Sequence, residues 1–177
     1  MRPTVAPSPD LVGKCLREIS PDLIFKSSGV IVFACGDGRY DHERETFLRE
    51  VIPTKKERWC IHRLFRHGGF LQLHPDSPTN RAFNDSASAL AELRFALEEG
   101  FGGEEGNVLA MVHAPCGKAL EAGLANPCEV VTWAKKARGY VLDQLKGVPI
   151  NLKLVVWFNY ENPNYPDGLV KFYEIIA

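Results

Sequence analysis

Three short apolar runs decide most of what this chain can fold into. Residues 29–35 (GVIVFAC), 107–112 (NVLAMV) and 151–159 (NLKLVVWFN) are nearly continuous in aliphatic and aromatic side chains. A strand with one face in water alternates apolar and polar residues. An unbroken run instead signals a strand covered on both faces, as in a mostly parallel sheet between helices. Helical patterns separate these runs, so the expected class is α/β, a mostly parallel central sheet covered by helices on both faces. Residues 169–176, LVKFYEII, follow the turn-rich YENPNYPDG. They read as an antiparallel C-terminal edge strand.

The helices are marked by their ends. Residues 41–52 carry acidic side chains in the first turn and the apolar Phe47, Leu48 and Val51, and Pro53 stops them. Residues 84–100 have Leu90, Leu93 and Leu97 on one side, with Asn84 or Ser86 as the cap. Asn126 followed by Pro127 is a cap with proline at the first helical position, and that helix should run to about Leu145 and end at Gly147. Residues 116–124 read as the start of a short helix, and residues 10–19 as another that Gly13 weakens. Residues 58–65 read as a second strand. Pro75 and Pro78 make residues 70–83 a long loop, and residues 1–9 a loose arm.

Size and charge narrow the function. A chain of 177 residues suits one domain spanning 1–177. With 21 basic and 22 acidic residues it has no broad basic field, so nucleic acid is not an expected partner. No apolar run reaches the roughly 18 residues of a membrane helix, so no membrane partner is expected. The first residues lack the apolar centre of a signal peptide. Five cysteines, an odd number, fit free thiols and a cytoplasmic protein better than a disulfide framework. Cys15, Cys60 and Cys128 read as packing residues. His42, His62, His67 and His74 read as surface or loop residues, with His42 a weak proton-relay candidate.

Two fragments carry chemistry. Cys35 closes the first buried run and opens Cys35-Gly-Asp37-Gly-Arg39; His113-Ala-Pro-Cys116-Gly117 follows the run at 107–112. In a parallel sheet the functional crevice lies outside the carboxyl ends of the strands, so both fragments reach one rim. Two thiolates and an imidazole make a borderline-soft set that suits zinc, with the fourth position open to water or a carboxylate. Asp37 is placed to fill that position or to accept a hydrogen bond from bound water. An Arg39–Asp37 pair would orient the carboxylate. Each fragment also has a plainer reading: a packing cysteine at a strand end, or a glycine-rich turn. On the residues alone both readings stay open. Neither CGDGRY nor RHGGF matches a nucleotide-binding loop.

Cys35-Gly-Asp37-Gly-Arg39 resembles the first zinc motif of the β-class carbonic anhydrases, C-x-D-x-R, and His113-Ala-Pro-Cys116-Gly117 resembles their second, H-x-x-C-G. Arg66-His67-Gly68-Gly69 faintly resembles their R-N-A-G segment, and residues 153–174 resemble their closing strand, turn and strand. The resemblance implies Cys35, His113 and Cys116 as zinc ligands, with Asp37 either a fourth ligand or held off the metal by Arg39. It implies a homodimer, a small-molecule substrate and a zinc lyase: reversible hydration of carbon dioxide to bicarbonate by a zinc-bound hydroxide, with Asp37 and Arg39 catalytic. The rival expectations are hydrolysis of carbonyl sulfide or carbon disulfide, and a catalytically silent zinc protein. Gly38 stands where the family usually has serine or alanine. Ala114 and Pro115 stand where it often has threonine and aspartate.

Overall fold

The computed structural model of the chain describes residues 7–8, 10–19, 29–38, 41–52, 60–80, 85–101, 104–162 and 165–176. The strands are β1 (Leu16–Glu18), β2 (Gly29–Cys35), β3 (Cys60–Arg66), β4 (Gly106–Ala114), β5 (Ile150–Asn162) and β6 (Tyr165–Ile175). The helices are α1 (Asp41–Val51), α2 (Ser86–Phe101), α3 (Gly117–Glu121) and α4 (Pro127–Gln144). Among the described residues six strands form one sheet in the order β1-β6-β5-β4-β2-β3. The pairs β3–β2, β2–β4 and β4–β5 are parallel; β5–β6 and β6–β1 are antiparallel.

The unbroken apolar runs have the reason expected of them. Odd and even positions of the central strands serve different cores. On one face Ile31, Phe33, Val108, Ala110, Val156 and Phe158 pack with Leu93 and Leu97 of α2 and with Val131, Ala134 and Val141 of α4. On the other, Val30, Val32, Leu109, Met111 and Val155 pack with Phe47, Leu48 and Val51 of α1. All nine residues of β4 are buried. Each such aliphatic side chain contributes about 1.5–3 kcal/mol on leaving water. A one-residue slip would move every one of them to the wrong face, so register is strongly specified.

The Asn126 cap is present: its Oδ1 accepts from the Cys128 amide at 2.9 Å, and Glu129 Oε2 accepts from the Asn126 amide at 3.2 Å. Asn84 lies outside the described residues, and Ser86 is the first residue of α2 rather than its cap.

Two expectations are corrected. Residues 10–19 form turns and the short strand β1, not a helix. Gly13 adopts φ 94°, which ends any helix there, and Leu16, 1% exposed, is buried against the sheet. The outer edge beyond β6 therefore belongs to β1, where Arg17 pairs with Glu174 across the strands. Residues 70–80 are more regular than the long loop expected, whose residues 81–83 lie outside the described residues. They form two 3-10 turns, Gly69–Leu73 and Pro78–Asn80, that put Phe70, Leu71 and Leu73 into the core. Asn80 Nδ2 donates to the Gln72 and His74 carbonyls at 2.9 and 2.7 Å, which holds the first turn closed. The prolines that suggest a loop here break regular helix, and Pro75 and Asp76 between the two turns are exposed. Among the described residues no helix is long and apolar enough to cross a membrane.

Candidate metal centre

Cys35 is the last residue of β2, and His113 is the penultimate residue of β4. Cys116 follows one short turn later, in extended conformation at the entrance to α3. The parallel arrangement of β2 and β4 brings both carboxyl ends to the same rim. Ligand atoms of Cys35, His113 and Cys116 all lie within 4.8 Å of one another, and all three residues are buried. The sequence separates them by up to 81 positions; the sheet unites them.

The donor set fits a tetrahedral transition metal. Two thiolates at about 2.3 Å from zinc, at the tetrahedral angle, stand about 3.8 Å apart. The Cys35 and Cys116 sulfurs are 3.9 Å apart. Among the described residues three protein donors converge, a set able to hold a metal ion in a catalytic or a structural role.

The two sulfurs are hydrogen-bonded to each other. The hydrogen bond from Cys35 lowers the Cys116 thiol to about 7, helped by the Ala119 and Lys118 amides and opposed by burial. The same hydrogen bond and burial push Cys35 up to about 12. The nearby Asp37 carboxylate raises Cys116 by a smaller amount.

The surroundings are built from several elements. Trp157 of β5, opposite His113 in the ladder, stacks on the imidazole at 4.7 Å with the rings 11° apart. Gly69 is pressed between strand ends: a Cβ there would stand 2.9 Å from both the Cys35 amide nitrogen and the Met111 carbonyl oxygen, at φ +57°. Only glycine fits. Gly36 continues the β2–β3 ladder past Cys35 by donating to the Arg66 carbonyl at 3.1 Å. Arg44 of α1, 2% exposed, donates from Nη1 to the Cys35 carbonyl at 3.1 Å.

A cleft of ≈ 490 Å³ opens over the two sulfurs, lined also by Asp37, His67, Lys118 and Glu121. Asp37 is half-buried there, two residues from Cys35. Lys118 Nζ pairs with Glu121 Oε2 at 3.4 Å. His67 is the histidine that borders this cleft among the described residues; His42 is exposed on α1 and does not line it. Arg39 lies outside the described residues.

Of the remaining cysteines, Cys128 is exposed rather than packed and Cys15 is half-buried. The Cys60 side chain lies outside the described residues. His74, half-buried between the two 3-10 turns, meets Trp133 edge-on and Tyr140 at a tilt of 49°.

Arg44, Trp157 and Gly69 are the site residues that sequence reasoning misses. Arg44 and Trp157 lie inside ordinary helix and strand patterns, which hide them. Gly69 has a visible signal, the Gly-Gly pair after β3. Compared with known proteins, the chain matches no family model, no curated protein and no solved structure.

Proposed function

We propose that this protein is a zinc enzyme of carbonic anhydrase type, hydrating carbon dioxide reversibly to bicarbonate. The observation that carries the reading is the buried Cys35–His113–Cys116 cluster at the carboxyl rim of a parallel sheet, under a cleft that includes Asp37. The likeness of the two ligand fragments to the β-class carbonic anhydrase motifs supports it further.

Cys35, His113 and Cys116 would hold the ion. Zinc supplies Lewis acidity, which makes water acidic enough to act as a nucleophile near neutral pH. Trp157 fixes the plane of the His113 ring through their stacking. Asp37 orients the attacking water by accepting its hydrogen bond, and Arg39 holds the Asp37 carboxylate for that task. Lys118 stands at the rim, where a cation attracts the bicarbonate product. His67, at the mouth of the same cleft, passes the released proton to solvent. The protein acts as a homodimer in this reading.

Stopped-flow carbon dioxide hydration tests the proposal. The zinc-loaded protein is expected to accelerate hydration, Cys35→Ser to abolish the acceleration, and Asp37→Ala to reduce it by roughly 10–100-fold with zinc retained. A zinc-replete protein with no acceleration, also inert toward carbonyl sulfide, would contradict the enzyme reading and leave a zinc protein without hydratase activity.

A further inference from the structure

Asp37 lines the cleft over the cluster between the end of β2 at Cys35 and the start of α1 at Asp41, so the two ends of this segment set where its carboxylate stands. Both of its ends meet one side chain. Arg44 Nη1 donates to the carbonyl of Cys35, the last residue of β2, at 3.1 Å. Arg44 Nη2 pairs with the carboxylate of Asp41, the first residue of α1. The guanidinium also lies 4.1 Å over the Phe65 ring of β3.

We propose that Arg44 is a positioning residue for the metal centre, clamping the two ends of the Asp37 loop and fixing how Cys35 presents its sulfur. The inference rests on reading the cluster as a metal site.

Three observations separate this role from packing. First, the β2–β4 register ends at Phe33↔Ala110, two residues before Cys35. The Cys35 carbonyl thus lies beyond that ladder, and Arg44 supplies its donor. Second, the charge is expensive where it stands. The Arg44 side chain is 3% exposed, whereas its partner Asp41 is 58% exposed, and Arg44 Nε is buried without a hydrogen-bond partner. An apolar side chain could fill the space without burying a cation. Third, the geometry needs a fork. Two separated donors on one rigid plane reach a carbonyl and a carboxylate together; a lysine ammonium is a single point and is shorter.

The test uses cobalt(II) as the probe, in the full chain and in Arg44→Met, Arg44→Lys and Asp41→Asn. All are measured below the unfolding temperature of each variant. Thiolate-to-cobalt absorption in the near ultraviolet reports the two sulfur ligands. The visible d–d bands report the geometry around the ion, which a loss of global stability does not change. Arg44→Met is expected to keep the thiolate band, to broaden the visible bands and to weaken cobalt binding by about tenfold to a hundredfold. Arg44→Lys is expected to recover part of the affinity with the visible bands still altered, since it retains charge but not the fork. Arg44→Met with unchanged visible bands and an affinity within about twofold of the parent overturns the clamp. Should Arg44→Met fail to fold, Asp41→Asn decides. It releases only the α1 end of the loop, and altered visible bands support the clamp where unchanged bands overturn it. A parent chain that takes up no cobalt overturns the metal reading itself, a result distinct from cobalt bound normally in every variant.

Discussion

Cys35, His113 and Cys116 are each no more than 3% exposed. The two thiols are hydrogen-bonded to each other, and the imidazole is held flat against an indole. At neutral pH the metal-free pair keeps the Cys35 proton, because Cys35 stands at about 12, and part of the Cys116 proton, because Cys116 stands at about 7. Both sulfurs must bind as thiolates. Zinc loading therefore expels between about one and two protons per ion at pH 7, and affinity rises with pH and falls on acidification. Calorimetry in buffers of different ionisation enthalpy measures that number; a value near zero would mean the sulfurs are not ligands. Replacing Cys116 with serine should lower zinc affinity by more than about a hundredfold, beyond what loss of a supporting hydrogen bond costs. The three clustered residues were legible, since strand-end cysteine and H-x-x-C fragments are visible in one dimension. Trp157 and Arg44 were not. Their roles depend on which residues the ladder and α1 place opposite His113 and Cys35, and no spacing rule encodes that.

The elements carried more of their own signal. Unbroken aliphatic runs announced β2, β4 and β5, because both faces of each are covered, and Asn126-Pro127 announced α4 through its own capping bonds. Residues 10–19 misled because a few helix-compatible side chains outweighed Gly13, whereas pairing with β6 decides the conformation of Leu16–Glu18. Residues 70–80 misled because proline breaks a regular helix yet still allows short 3-10 turns. The turn at Gly69 yields a prediction. Gly69→Ala forces a Cβ against two backbone atoms at 2.9 Å and should destabilise the fold by roughly 1–3 kcal/mol. It should also weaken zinc binding, because one of those atoms is the Cys35 amide nitrogen. Gly139→Ala, inside α4 with nothing within 4 Å of the added Cβ, should instead stabilise by about 0.5–1 kcal/mol. Denaturant unfolding of the two variants distinguishes them by sign.

For the molecule as a whole, the Cys35–His113–Cys116 cluster spans the ends of β2 and β4 where their pairing has already ended, at the rim where the cleft opens. An ion bound there couples to global stability by mass action. At a free zinc concentration about a hundredfold above Kd the gain is roughly 2.7 kcal/mol. In a chain of this size that is about 5–10 °C in Tm, which chelation should remove. The fold class and the ligand fragments were readable from patterns along the chain. The cleft was not, because its lining comes from segments near residues 35, 67 and 117 that only the sheet order brings together. The same topology makes the central claim easy to test. Metal analysis of the purified protein beside Cys35→Ser should find about one zinc per parent chain and almost none in the variant. Less than about half an equivalent in the parent, with no other transition metal present, would contradict the account at its root.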